Sequence, residues 1–468
     1  MVDIEGVLGS QRSVRMISRM TGHMTGWGLA AFLTAGFAVP ALAAFGSAVT
    51  AVPGHLVASG DPSTLLTNEQ RAVLGIKFGP DTPLDFFQLK NGKFYINSAG
   101  ALGPVQGRGH PAAFNLHVDS QLTRILALNS DGPATGPQDV QTIMTDHAAD
   151  CGSGNNRARA TDPGGAACNQ YFDRDYAGGG TYFRCPDNAT SVYFYHGENH
   201  TAPDGSWGRG GWFGIGVGTF NQDETAVTRA RQMPVPGGQS SAQIIGLNLG
   251  TVWQGAPGSY TTPPQAHPYN GVPSAIAGGD GYLYVYHGNA TLDPAYNPSA
   301  CRPECMGVSR APIAAFCSAI RTASPVAWQN YNRGSWSEPA AEDATSPLGF
   351  GAGGGFSPLI KTLRPGEHGG TVTYLPARHL YVMAQLLEGG IDAHYSSDGI
   401  NWTDAQPLID APQGTTPNGD AEQILYPKIV AVHVANGAET YAVTYIVATK
   451  GHFWKWAELM RQKLEFVR

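Results

Sequence analysis

Charge is scarce in this chain. Only 14% of its 468 residues are Asp, Glu, Lys or Arg, and no basic run interrupts the body. That argues against nucleic acid as a partner. The balance of 29 basic against 36 acidic residues gives a net charge of −7, mild and spread along the chain, which bears on solubility rather than on a particular ligand. Helical periodicity is also missing. No long amphipathic stretch at period 3.6 stands out in the body, so a helical bundle is set aside. Long apolar runs are absent too. The run Trp27–Val39, "WGLAAFLTAGFAV", is short of the ~20 residues that span a bilayer as a helix.

What the chain has is turns and short apolar runs. It holds 61 Gly and 33 Pro, with brief aromatic and β-branched segments between Gly, Asn, Asp and Pro clusters. That pattern reads as all-β. At the N-terminus, Arg12, Arg15 and Arg19 precede the apolar run, and Pro40 with "ALA" (Ala41, Leu42, Ala43) follows it. This order predicts a signal peptide over 1–43 and a mature chain from near Ala44. An uncleaved anchor is the alternative, and both export the body. The expected location is secreted or periplasmic, with no membrane partner after cleavage. Six cysteines (Cys151, Cys168, Cys185, Cys301, Cys305, Cys317) suit export. They allow about 15 pairings. Each group of three is odd, so at least one bridge joins the groups if all pair. Cys301-x3-Cys305 also admits a weaker zinc reading.

A Gly/Asn/Asp turn followed by an aromatic strand recurs five times: "NGKFYINSA" (from Asn91), "DNATSVYFYHGE" (from Asp187), "GDGYLYVYHGN" (from Gly279), "ARHLYVMAQ" (from Ala377) and "GAETYAVTYIVAT" (from Gly437). Each is preceded by an apolar run: "PLDFFQL", "GTYFRC", "VPSAIAG", "GGTVTYL" and "ILYPKIVAVH". Five such hairpins, three with a clear third strand, predict a single five-bladed β-propeller over 44–468 with long loop insertions near 129–180 and 221–266. Radial stacking supplies the core that one blade cannot bury alone. A two-sheet sandwich is the competing architecture. The tail "FWKWAELMRQKLEFVR" reads as a helix.

In a propeller the first strand of each blade lines the channel, so acids at those strand ends are the candidates. They are Asp81 and Asp85 in blade one, Asp173 and Asp175 before blade two, Glu198 at the end of its second strand, Glu367 with His368 before blade four, and Asp420 with Glu422 before blade five. Asp81 and Asp420 read more readily as turn caps. Converging carboxylates suit glycosidic-bond hydrolysis: one protonates the leaving oxygen, the other activates water or attacks the anomeric carbon. The acid must hold its proton near neutrality through burial or a neighbouring charge. We expect Asp85, Glu198, Glu367 and Asp175 as catalytic residues, and His196, His200, His368, Trp212 and Glu422 as sugar contacts, with Trp207 beside Trp212 in a Gly-rich loop. His196 also fits a buried, hydrogen-bonded core histidine.

These residues resemble a known group. "PLDFFQLKNGKFYIN" is similar to the opening blade of the five-bladed propeller glycoside hydrolases, which include arabinanases, β-xylosidases, levansucrases and invertases. The resemblance implies that Asp85 is base or nucleophile, and leaves the general acid open between Glu198 and Glu367. "GYLYVYHGN…MGVSRAPIAAF…WQNYNRGSWSEP" and "HGGTVTYLPARHLYVMAQ…GIDAHYSSDGINWT" resemble a secreted bacterial propeller family that includes endo-D-arabinanases. "SSDGINW" (Ser396–Trp402) resembles the Asp-box turn of sialidases and other propellers, a structural motif. The group implies no required cofactor and allows a calcium ion or water in the channel. The expected protein is a secreted, monomeric glycoside hydrolase acting on a furanose- or pentose-containing polysaccharide. The alternatives are a non-catalytic carbohydrate-binding propeller and a polysaccharide lyase with a Tyr or His base, His196, His200 or His368.

Overall fold

Neighbouring residues of one strand serve different cores, and this period of two explains the near-continuous apolar runs. In Ser191–Thr201, Val192 and Phe194 pack with Leu283, Val285, Phe316 and Trp328. Tyr193, between them, reaches the other way, and its hydroxyl donates to Asn97 Oδ1 at 2.6 Å. In Leu380–Leu387, Val382 and Ala384 join one core while Tyr381 and Met383 join the next. Each sheet is therefore apolar on both faces and needs a sheet on either side.

The computed structural model describes residues 52–102, 111–126, 140–145, 173, 176–201, 207–230, 233–235, 239–241, 243–245, 270–289, 305–340, 359, 370–387, 389–433, 439–450 and 455–468. The expected signal segment 1–43 lies outside them, as do Cys151, Cys168, Cys301, Asp175, Glu367 and His368. For His200, Trp207, Trp212 and Cys305 only the backbone is described.

Five antiparallel sheets form the blades. Blade I is Asp85–Gln88, Phe94–Leu102, Pro111–Val118 and Val140–Thr145. Blade II is Tyr176–Arg184, Ser191–Thr201, Trp207–Phe220 and Val227–Arg229, with Gln243–Ile245 also paired to its third strand. Blade III is Asn270–Ala277, Tyr282–Asn289, Cys305–Pro312, Gln329–Asn332 and Ser335–Pro339. Blade IV is Thr371–Leu375, Leu380–Leu387, Gly390–Ser396 and Gln406–Ile409. Blade V is Glu422–His433, Glu439–Thr449, Ala457–Val467 and, last, His55–Leu66. Inner strands of successive blades touch, and blade V returns to blade I. The chain is a five-bladed β-propeller, and the sandwich is set aside.

Two features differ from the sequence reading. The expected helical tail is not seen: Ala457–Val467 is a strand paired on both edges. Its helix-forming residues yield because Ala457, Leu459 and Leu464 fill the cores beside blade V, and packing outweighs a propensity of a few tenths of a kcal/mol per residue. The second feature is the closure. His55–Leu66, ahead of the first recognised repeat, supplies the outer strand of the last blade. A tyrosine of blade IV ties it in, the Leu56 N–H donating to Tyr395 Oη at 2.8 Å.

A disulfide joins Cys185, in the first turn of blade II, to Cys317, in the helix Ile313–Thr322 that follows the third strand of blade III. It links the two cysteine groups, as the pairing arithmetic requires. The Asp-box connects the last two strands of blade IV. Asp398 Oδ1 accepts from the N–H groups of Ile400 and Asn401, both at 2.8 Å, and Ser396 Oγ accepts from Gly399 N–H at 2.8 Å. Trp402 packs edge-on against Tyr286. No described helix is long and apolar enough to cross a membrane.

Candidate active site

Three inner strands carry the same irregularity. Their ladders shift register at Gly178/Gly180, Gly271/Ser274 and Leu425/Lys428, and at each a residue takes a left-handed backbone: Gly179 (φ 57°), Val272 (φ 53°) and Tyr426 (φ 53°). A bulge of this kind re-aims the side chains beside it. Gly179 must be glycine, since a Cβ there would lie 2.0 Å from the Thr82 side chain of blade I. At Val272 and Tyr426 the left-handed region is strained, and such strain collects at functional sites.

Beyond each bulge a polar residue enters the channel: Thr181, Ser274 and Lys428. With Asp85 of blade I and Thr371 of blade IV they line one cavity, one polar side chain from every blade. Bonds run between neighbours. Thr181 Oγ1 donates to Pro273 O and Thr371 Oγ1 to Pro427 O, both at 2.7 Å. Val372 N–H donates to Ser274 Oγ at 3.1 Å. Lys428 Nζ donates to Val372 O at 3.2 Å and to Ser274 Oγ at 3.4 Å. The enclosed space is about 10 Å3, near the lower limit for one water.

Asp85 and Lys428 are the charges of this ring. Burial pushes the Asp85 carboxyl up to about 6, while Lys428 and the N–H groups of Tyr182 and Phe86 pull it back. Burial lowers the Lys428 ammonium, and Asp85 opposes that fall. A calcium ion does not fit here. The ring offers a single carboxylate, and an ammonium already supplies the positive charge, whereas calcium takes 6–8 oxygens, roughly.

A second group of polar side chains sits at the N-terminal side of Asp85. Asp81 is held by its own N–H, which donates to Ala99 O at 2.8 Å, and by Tyr426, whose hydroxyl donates to Asp81 Oδ1 at 2.9 Å. Gly79 permits that approach: a Cβ there would meet Ala99 O at 2.8 Å. Asp81 keeps a solvent-facing edge, yet its surroundings push its carboxyl up to about 8, through burial first and the Glu198 charge second, with the Tyr426 bond opposing. Glu198 comes from blade II and is 19% exposed. Its Oε1 lies 2.7 Å from Nε2 of the buried His196. Tyr176 stands directly opposite Glu198 in the blade II ladder, with its ring beside that of His196.

The expected site residues thus part company. Glu198 and His196 lie together. Asp85 faces Lys428 in the channel ring. Asp173 is buried, accepting from the Tyr195 hydroxyl at 2.9 Å and from Arg229 Nε at 2.5 Å. Asp420 is exposed near Lys455, at 4.0 Å, and Glu422 lies near Glu458 on blade V. Asp175, Glu367 and His368 lie outside the described residues, as do the side chains of His200 and Trp212. Sequence reasoning passed over Tyr176, Tyr426 and Lys428. A signal was present: Val272-Pro273-Ser274 and Tyr426-Pro427-Lys428 repeat one apolar-Pro-polar pattern at the same place in two inner strands. Among the described residues no three His, Cys, Asp or Glu side chains cluster to hold a metal ion.

Comparison with known proteins follows the fold. No family model matches the chain, and no curated protein does. Solved structures do match. Several of them are glycoside hydrolases, all at low identity. A family 117 glycoside hydrolase from Zobellia galactanivorans is 14% identical, over 88% of this chain and 91% of that one, with a TM-score of 0.41. An α-L-arabinofuranosidase from Podospora anserina, in complex with cellotriose, is 11% identical over 88% and 97%, with a TM-score of 0.40. A protein of unknown function from Dyadobacter fermentans is 13% identical over 89% and 100%, with a TM-score of 0.43. The chain spans less than half the length of the fructofuranosidases it matches from Schwanniomyces occidentalis, 39% in one case.

Proposed function

We propose that this protein is a secreted glycoside hydrolase in which Asp81 and Glu198 form the working carboxylate pair. The observation that carries the reading is a pair of partly open carboxyls from different blades, Asp81 held by the Tyr426 hydroxyl and Glu198 by His196, with the Glu198 charge adding to the burial that raises Asp81. Near neutral pH Asp81 then holds its proton and can donate it to the leaving glycosidic oxygen as the C–O bond breaks. Glu198, beside His196 Nε2–H, is the carboxylate that supports the nucleophile. A carboxyl that keeps its proton beside a second carboxyl is what this chemistry needs. Asp85 takes the deeper role of balancing the Lys428 charge in the channel ring, so the part that the sequence resemblance gave to Asp85 moves to Asp81. A furanose- or pentose-containing polysaccharide as substrate rests on that sequence resemblance. Export rests on the N-terminal pattern and agrees with the Cys185–Cys317 bridge.

Reducing-sugar release from a panel of arabinans, xylans and fructans tests the reading. The wild type is expected to cleave at least one. Asp81→Asn and Glu198→Gln are expected to lower kcat by about 10²- to 10⁴-fold, and Asp85→Asn to keep measurable turnover. Full activity in both of the first two variants, or loss confined to Asp85→Asn, would overturn the assignment. Glycan binding without cleavage by the wild type would favour a binding propeller. An unsaturated uronate product would favour a lyase.

A further inference from the structure

Tyr176 is 5% exposed, and its hydroxyl is buried without a hydrogen-bond partner. Its surroundings make this unusual. Tyr176 stands opposite Glu198 in the blade II ladder, its ring lies 5.7 Å from that of His196, and the acidic groups that add to its burial are Asp81 and Glu198. Burial and these neighbours hold the phenol well above its ordinary value of 10.0, so it remains a neutral donor across the working pH range. Its neighbours have other partners: Asp81 accepts from Tyr426, Glu198 bonds His196 and Tyr193 donates to Asn97. A phenylalanine would fill the same space without leaving a buried polar group unsatisfied, and such groups are costly and rare in folded proteins.

We propose that the Tyr176 hydroxyl is a substrate contact, donating a hydrogen bond to a sugar oxygen held between Asp81 and Glu198. The inference rests on the reading of those two residues as the carboxylate pair, and it deepens that reading by naming a donor the ligand must satisfy. The chemical class required is a neutral polyhydroxylated ligand with an acceptor oxygen beside its scissile bond. An anionic sugar would meet two acidic groups there. Tyr176 neither gives nor takes a proton in the reaction.

The test is Tyr176→Phe, with two readouts chosen because a merely structural hydroxyl would move them differently. Thermal unfolding of the free protein is expected to be unchanged or slightly raised, because no bond is lost. On the glycan that the wild type cleaves, kcat/KM is expected to fall about 10- to 100-fold, the range for a lost bond to a polar ligand group. In a Glu198→Gln background, the oligosaccharide form of that glycan is expected to raise the melting temperature, and less so when Tyr176→Phe is added. A variant with kcat/KM within twofold of wild type would overturn the inference while leaving the carboxylate pair standing. A variant that unfolds or loses stability would also overturn it, because the hydroxyl would then be engaged in the free protein. If the wild type neither binds nor cleaves any glycan, the carboxylate reading fails and this inference fails with it.

Discussion

Replacing Asp81 by Asn should make the protein more stable, and by an amount that depends on pH. Asp81 keeps its proton in the fold up to about pH 8, against an ordinary value of 3.8. Between those limits the unfolded chain has released a proton that the folded chain retains. Because a raised carboxyl favours the protonated state, wild-type stability falls as pH rises through this window. The slope is at most ~1.4 kcal/mol per pH unit, and a rise from 3.8 to about 8 accumulates to on the order of 5 kcal/mol. The amide introduced by Asp81→Asn has no proton to release, and its oxygen can still accept from Tyr426. The stability difference between variant and wild type should therefore be near zero at pH 4 and grow steadily to pH 8. Asp85, which titrates near 6, is present in both proteins and cancels in the difference. Urea unfolding of both, at steps of one pH unit, measures it. A difference that is flat from pH 4 to 8, or that shrinks, would refute the claim that Asp81 lies where burial and Glu198 hold its proton. The gain in stability should accompany the loss of activity, as at other strained functional sites.

Two further outcomes follow from the ring and the turn. Lys428→Met removes the positive charge that offsets the buried Asp85 together with the bonds to Val372 O and Ser274 Oγ, and should cost about 1–3 kcal/mol. Adding Asp85→Asn should recover part of that in a double-mutant cycle of urea unfolding, and strict additivity would speak against their electrostatic coupling. Asp398→Ala removes the acceptor for Ile400 and Asn401 and should lower stability by about 1.5–3 kcal/mol with kcat and KM unchanged, as read by unfolding and steady-state kinetics.

The blades were legible because each hairpin repeats a turn signal and an apolar run within a few residues. Phe86 pairs with Ile96 and Tyr374 with Tyr381 where the sequence put them. His55–Leu66 was not legible, because its partner Ala457–Val467 lies at the other end of the chain and no short turn joins the two strands. The site divides in the same way. Glu198 could be found because it ends an aromatic strand. Asp81 was read as a turn cap because its special surroundings, the Tyr426 hydroxyl and the Glu198 charge, arrive from blades V and II. Tyr176 looked like one more strand aromatic. Only the ladder sets it across from Glu198.

The ring is fastened by pairing its earliest described strand with its last, and this fixes the order of events during biosynthesis. His55–Leu66 is made before the other blade strands yet has no edge to join until Ala457–Val467 has been made. Until then the circle stays open and blade V lacks its outer half. Maturation therefore waits on the whole chain, as befits a topology rich in distant pairings, and clipping either end would spring the clasp.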